Sequence, residues 1–344
     1  MKKNIGFIFE VNNKIGGGHF WRCFNFARIL KRKNNNIFFI TNFLSNNYKK
    51  ILFKEKIKSI QLSQLNNYQN LKKKIIKEKI EILITDYYNF NSKSKKNIKK
   101  ILKKLVVIDD HVEKKHFCDI YINNNLLDSK SLKKIKTLNP NCKLLLGIKY
   151  FVLNNKLYKL NTKNTSRIKK IFIFFGTSDN SNLTLKILKY LKKFDNFKLD
   201  VIIGNMNKNK YKIEKYCKNL SNIKIFSSLT NNKLLNIMSK NNLAIGAGGV
   251  NLYERLFLGL PSIVITNADN QIVSSKYLSK RKVIEYLGED KNFTRDKFEK
   301  SFRKILNFKK YKSLKSNVNS YFSSKKKKNL LSIKMNELLN VCCE

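Results

Sequence analysis

Two Rossmann-like α/β domains facing each other across a cleft are what this chain predicts. Its 344 residues suit two domains of roughly 150 residues each. Hydrophobic residues make up 42%, which supports a sizeable core and excludes wholesale disorder. Short runs rich in Ile, Val and Phe alternate with Lys-rich stretches of helix length, the order that builds a doubly wound parallel sheet.

The elements follow in chain order. Residues 5–11, 37–41, 80–85, 105–109 and 119–122 read as strands of a first domain, placed at 1–160. Several are nearly continuous apolar runs, as parallel strands buried on both faces require. The pattern pauses between Leu153 and Lys170, and the polar, aperiodic stretch 161–169 reads as a linker. A second series, 171–175, 200–203, 223–226, 243–246 and 262–266, defines a second domain at 170–300. The remainder, 301–344, is amphipathic and Lys-rich and reads as a helical tail.

The charge needs its own account, since 72 basic against 23 acidic residues leave +49. Such a value suggests a polyanion or an anionic membrane as partner. The kind of base argues otherwise: 64 are Lys and 8 are Arg, spread along a chain that also holds 48 Asn. A reader of phosphates and base edges would use the planar fork of Arg more heavily. The surface therefore reads as a compositional bias, with no nucleic-acid partner and no stable membrane insertion. The apolar run near Met1 is too short for a signal-peptide core and stops at Glu10. No stretch reaches bilayer-spanning length, and the six Cys show neither paired CxxC spacing nor the density of a secreted scaffold. A soluble, cytoplasmic, monomeric chain is the expectation.

Chemistry is expected at the carboxyl ends of the strands, where α/β sheets meet ligands. The first strand runs into Lys14-Ile15-Gly16-Gly17-Gly18-His19, after which Phe20, Cys23, Phe24, Ala27 and Leu30 recur at helical spacing. Glycines there allow close backbone approach, and the helix N-terminus disfavours imidazolium, leaving His19 able to accept a proton. Two further strands end in Thr85-Asp86-Tyr87-Tyr88 and Ile108-Asp109-Asp110-His111. Asp109 and Asp110 are neighbours whose side chains should diverge. His111, His116, Cys118 and Asp119 match no recognised metal spacing, so no metal and no cofactor are expected.

The second domain holds the more informative segment. Gly176 follows its first strand, and Leu243–Gly246 leads into Ala247-Gly248-Gly249, a helix carrying Glu254 and ending at Gly259, then Pro261. Backbone N–H groups of Gly248, Gly249 and Val250 at a helix N-terminus suit a pyrophosphate. Glu254, a turn further on, is placed to accept hydrogen bonds from ribose hydroxyls. Asn267-Ala268-Asp269-Asn270-Gln271 supplies amides for sugar hydroxyls or acetamido groups.

With both halves in view, the chain resembles the nucleotide-sugar hydrolases of the pseudaminic acid pathway, relatives of the GT-B-fold glycosyltransferases that make peptidoglycan lipid intermediates. The motifs are Gly16-x-Gly18-His19-x-x-Arg22-Cys23, and Gly246-Ala-Gly248-Gly249 through Glu254-Arg255 to Leu258-Gly259-x-Pro261-Ser262 and Asn270-Gln271. Asp86-x-Tyr88, Ile108-Asp109-Asp110, His116-x-Cys118-Asp119 and Gly147-x-x-Tyr150 match more loosely. The family shows a second glycine at Thr177, Arg at Asn154 and often a hydroxyl residue at Val250. The resemblance implies GT-B architecture and attack of water on the anomeric carbon of UDP-2,4-diacetamido-2,4,6-trideoxy-β-L-altropyranose, with inversion. It implies His19 as the catalytic residue, with Gly16, Gly18, Arg22, Tyr88, Asn270 and Gln271 on the sugar side. Gly176, Gly246, Gly248, Gly249 and Glu254 are implied for UDP. A glycosyltransferase of the same fold is the alternative, and a basic nucleic-acid- or membrane-surface-binding protein is the reading from another class.

Overall fold

The computed structural model describes residues 2–11, 17–31, 34–160 and 167–323. The chain divides at Val152/Leu153 into two units, each with its own sheet and core. The first contains β1 (Asn4–Phe9), β2 (Asn36–Thr41), β3 (Lys58–Gln61), β4 (Ile82–Asp86), β5 (Lys104–Ile108), β6 (Ile120–Asn123) and β7 (Lys143–Leu146). They lie in the order β3-β2-β1-β4-β5-β6-β7, and all pairs are parallel. The second contains β8 (Lys170–Phe174), β9 (Lys198–Ile203), β10 (Ile223–Ser227), β11 (Leu243–Gly246), β12 (Ser262–Thr266) and β13 (Glu285–Glu289). Their order is β10-β9-β8-β11-β12-β13, again wholly parallel.

Both sheets are therefore doubly wound, with the chain reversing direction across the sheet between β1 and β4 and between β8 and β11. At such a switch point the loops leave on opposite faces and open a crevice. In the first unit the crevice is bordered by the segments after Phe9 and Asp86. In the second it is bordered by those after Phe174 and Gly246.

Three strands have no counterpart among the expected ones: β3, β7 and β13. All three form sheet edges. Lys58–Gln61 is largely exposed, and Glu285–Glu289 is half-buried throughout. An edge strand covers only part of the core, so its sequence need not carry a continuous apolar run.

Alternation along the buried strands supplies two apolar faces. On one face of the first sheet Ile8, Ile40, Leu83 and Val107 pack with Leu71, Ile75, Ile98 and Ile135 of the covering helices. The other face is aromatic, with Phe7 edge-on to Phe26 at 5.7 Å and Phe9 edge-on to Phe39 at 5.1 Å. In the second unit Ile171, Ile173, Val201, Ile245 and Ile263 meet Leu183, Ile187, Phe298 and Phe302. The helix Arg295–Leu306 is capped by Thr294, whose side chain accepts from Lys297 N–H. It buries Phe298, Phe302 and Ile305 at i, i+4 and i+7 and runs across position 300 as part of this core. The helix Phe308–Ser323 follows, tied down where Tyr311 Oη donates to Asn242 O at 2.9 Å. Gly16, residues 161–166 of the expected linker and the segment beyond Ser323 with Cys342 and Cys343 lie outside the described residues. Among the described residues no helix is long and apolar enough to cross a membrane.

Candidate active site

In the first unit the switch-point crevice gathers scarce acids around a histidine. The helix Gly18–Lys31 begins directly after Gly17, whose carbonyl accepts from Trp21 N–H at 3.1 Å. That start places His19 in the first turn, beside the end of β4. Its Nδ1 lies 2.7 Å from Asp86 Oδ1. Asp86 is wholly buried; burial alone would raise its pKa, but the charges of Arg22 and His19 and their hydrogen bonds hold it well below the usual carboxylate range. An ionised carboxylate only accepts, so Nδ1 carries a proton, and in the neutral imidazole Nε2 is the nitrogen that presents a lone pair.

Arg22, one turn after His19, closes the cluster. Its Nε donates to Asp86 Oδ2 at 2.7 Å, and its Nη1 reaches both oxygens of Asp110 at 2.9 Å. Arg22 Nη2 also donates to Asp86 Oδ1 and to Tyr88 Oη at 3.2 Å. Burial acts to lower the guanidinium pKa, yet Asp110 and Asp86 keep it well above its ordinary value. Tyr88 donates its phenol hydrogen to Asp110, and burial together with that carboxylate pushes its pKa well up, so it stays protonated. His19, Asp86, Arg22, Asp110 and Tyr88 thus form one connected network in a water-poor site, where each bond is electrostatically stronger than in water.

Beside it, Asp109 turns the other way. It accepts from His111 Nδ1 at 2.7 Å and from His111 N–H at 2.9 Å. Tyr121 Oη donates to the carbonyls of Asp109 and His111, and Asn125 Nδ2 donates to Asp110 O at 3.3 Å, which fixes the loop after β5. His116 lies behind, fully buried, its pKa pushed down to about 4 by burial and the neighbouring Lys95. Among the described residues no group of three or more His, Cys, Asp or Glu is arranged to hold a metal ion.

The crevice of the second unit is built by glycines. Gly246 ends β11 so close to β8 that a Cβ would sit 2.2 Å from Phe174 O. Gly249 adopts φ +80°, a backbone region that favours glycine, and caps the helix Val250–Phe257. A Cβ on Gly248 would meet Gln271 Cβ at 2.8 Å. Gln271 Oε1 accepts from Gly248 N–H at 3.1 Å and Asn267 N–H at 3.3 Å, while Asn267 Nδ2 donates to Phe175 O. Gly176, at φ +95°, turns the chain after β8. Glu254 is buried at the base of this turn, accepting from Asn251 Nδ2 at 3.0 Å and Asn231 Nδ2 at 3.5 Å. Burial outweighs those bonds and pushes its pKa up to about 7. Arg255 faces inward, its Nη2 donating to Ala247 O and its Nε to Asn251 O, with burial lowering its pKa to about 9.

His19, Arg22 and Tyr88 are brought together, while Gly18 starts the helix with open space where a Cβ would be. Arg22, expected on the sugar side, is committed to two carboxylates and almost wholly buried, so its work is to hold Asp86, Asp110 and Tyr88. Gly246 is explained by strand contact with Phe174. The Gly248 N–H expected to cradle phosphate is partnered by Gln271, which ties that turn to the segment after β12. Asn270 and Gln271 open the helical segment after β12. Roles for Asp86, Asp110, Asp109 and Asn231 were not anticipated; the signal available was the rarity of acids, 23 in the whole chain, falling at strand ends.

Residues 170–332 match the glycosyltransferase family 28 C-terminal domain. An uncharacterized protein of Methanocaldococcus jannaschii is 31% identical over 278 residues, 76% of this chain and 55% of that protein. The chain thus spans about half the length of that relative. The UDP-2,4-diacetamido-2,4,6-trideoxy-beta-L-altropyranose hydrolase of Campylobacter jejuni is 28% identical over 58% of this chain and 71% of its own. Among solved structures, the UDP complex of Arabidopsis thaliana UGT89C1 superposes with a TM-score of 0.70 at 11% identity, covering both chains completely. The architecture is the GT-B fold.

Proposed function

We propose that this protein hydrolyses UDP-2,4-diacetamido-2,4,6-trideoxy-β-L-altropyranose to UDP and the free sugar, a step in pseudaminic acid biosynthesis. The observation that carries the reading is His19: an imidazole at a switch-point crevice, its tautomer set by buried Asp86 so that Nε2 accepts a proton. Similarity to the Campylobacter hydrolase supports the choice of substrate. Water attacks the anomeric carbon while its proton passes to His19 Nε2; the C–O bond to the diphosphate breaks, its electron pair leaves with UDP, and the configuration inverts. Tyr88 and Gly18, with Gly16, Asn270 and Gln271, are assigned to the sugar, and Arg22 to positioning the first group. Gly176, Gly249 and Glu254 are assigned to UDP, with Gly246 and Gly248 shaping the turn that receives it, and the N-terminus of Val250–Phe257 favours the developing charge. In this reading 1–160 is the catalytic domain, 161–169 a linker, 170–300 the nucleotide domain and 301–344 a tail.

Replacing His19 by Asn tests it. Turnover is expected to fall by about 10²–10⁴-fold, followed by proton NMR of the released sugar, while UDP binding by calorimetry survives. Near-normal turnover in that variant refutes the proposed base. The family 28 match favours a second reading, a glycosyltransferase. Incubation with the UDP-sugar and no acceptor separates the two, because only a hydrolase releases sugar and UDP stoichiometrically.

A further inference from the structure

The network around Tyr88 contains a second imidazole that the reaction so far leaves without work. His19 and His111 both pack edge-on against the Tyr88 ring, each with its ring centre 4.7 Å away. They come from different strand ends, after β1 and after β5, and meet at one tyrosine ring.

Each imidazole is held in the same way. Asp109, buried and kept ionised, binds His111 Nδ1 at 2.7 Å, as Asp86 binds His19 Nδ1. Asp109 cannot donate, so His111 Nδ1 carries a hydrogen, and Nε2, the acceptor of the neutral ring, has no partner among the described residues. Unlike His116 behind it, which is buried, the His111 side chain is 37% exposed. A ring this well anchored, on a turn itself fixed by Tyr121, is held at the orientational cost that binding would otherwise incur. Lys114 borders the same patch, donating to Tyr88 O at 3.0 Å with its ammonium 3.7 Å from Asp109. The loop therefore offers one acceptor beside one cation.

We propose that His111 is a substrate-binding residue that accepts a hydrogen bond through Nε2 from an O–H or acetamido N–H of the sugar, and so contributes to sugar selectivity. The assignment rests on the UDP-sugar hydrolase reading and deepens it. It predicts that His111 senses the sugar half of the substrate and not the nucleotide.

The test uses the full chain and two readouts. Long-range ¹⁵N–¹H NMR of the histidine rings follows Nε2 of His111 and of His19 during titration with UDP-2,4-diacetamido-2,4,6-trideoxy-β-L-altropyranose, with UDP alone as the control. His111 Nε2 is expected to shift with the sugar nucleotide and stay still with UDP. In steady-state assays His111→Phe, which keeps a ring against Tyr88 but removes the acceptor, is expected to raise KM about tenfold with little change in kcat. His111→Gln, whose side-chain oxygen accepts, is expected to recover part of that loss. A His111 ring that stays silent while His19 responds overturns the assignment and leaves the hydrolase reading standing. So does an unchanged KM in a folded His111→Phe protein. Silence of both rings in a wild-type protein that releases no UDP overturns both.

Discussion

Replacing Asp86 by Asn exchanges one carboxylate oxygen for an NH2 group at the centre of the first unit and exposes how the site is built. The carboxylate accepts from His19 Nδ1 and Arg22 Nη2 on one oxygen and from Arg22 Nε on the other, with Cys23 Sγ at 3.8 Å. An amide offers one acceptor. If its oxygen faces His19, its NH2 is forced against the Arg22 Nε–H. If it turns over, the NH2 faces His19 Nδ1, the proton moves to Nε2, and the base is lost. Neither arrangement satisfies the cluster, and Arg22 is left buried with Asp110 as its only carboxylate. Removing one partner of a buried pair costs about 3–5 kcal/mol, and the second carboxylate on Arg22 places this case at the lower end.

About 3 kcal/mol at roughly 2–4 °C per kcal/mol lowers the melting transition of this unit by about 6–12 °C. The stabilisation also has a pH signature. Asp86 has its folded pKa depressed below its unfolded value near 4, so its contribution is complete above about pH 4 and lost as pH falls through the folded value. Asp86→Asn is expected to lose that component of acid sensitivity. Turnover of the UDP-sugar is expected to fall by about 10²–10⁴-fold, with UDP affinity within about twofold of wild type, since the carboxylate lies in the other unit. The assays are calorimetric melting at pH 7 and at about pH 2–3, below the unfolded carboxylate value, NMR turnover and UDP titration. A variant with wild-type melting temperature and near-normal turnover refutes both the buried charge account and the tautomer account.

The second unit yields two further expectations. Glu254 has its pKa pushed up to about 7 by burial, and ribose hydroxyls donating to it would favour the ionised form, so UDP affinity should rise about tenfold between pH 6 and 8 beyond UDP's own titration. Calorimetry in wild type and Glu254→Gln checks this, and identical pH profiles refute it. Gly246→Ala is expected to destabilise the unit by about 3 kcal/mol, because the new methyl meets the backbone carbonyl of Phe174. Gly248→Ala meets Gln271 Cβ, an atom held by its own backbone that no rotamer change moves aside, and should cost about 1–3 kcal/mol. Thermal melts that leave both variants at the wild-type transition refute these close approaches.

The strands expected around 5–11, 80–85, 171–175 and 243–246 were legible because a central parallel strand is buried on both faces and spells an unbroken apolar run. The edge strands β3, β7 and β13 were not, since a half-exposed edge obeys no such rule. Cys118 and Cys142 show the same limit: without CxxC spacing, they stand just before neighbouring strands β6 and β7, which brings their Sγ atoms to 3.5 Å. The glycine turns and His19 were legible as types at strand ends. Their packing partners were not, since Gly246 answers to the Phe174 carbonyl and Arg22 to two carboxylates.

By itself, the order of apolar runs and helix-length stretches determined two doubly wound parallel sheets, and therefore where their crevices open. Period and strand length are local properties, and the handedness of parallel crossovers leaves few ways to assemble them. The +49 charge determined little, because solvated lysines need no particular partner. Only the tertiary structure decided which of the few acids face which base. Asp86 lies 67 residues from His19, while Asp109 and Asp110, side by side in the chain, serve different partners. Strand order brings β4 next to β1, and the twist after β5 sends neighbouring carboxylates apart; neither is encoded in spacing along the chain.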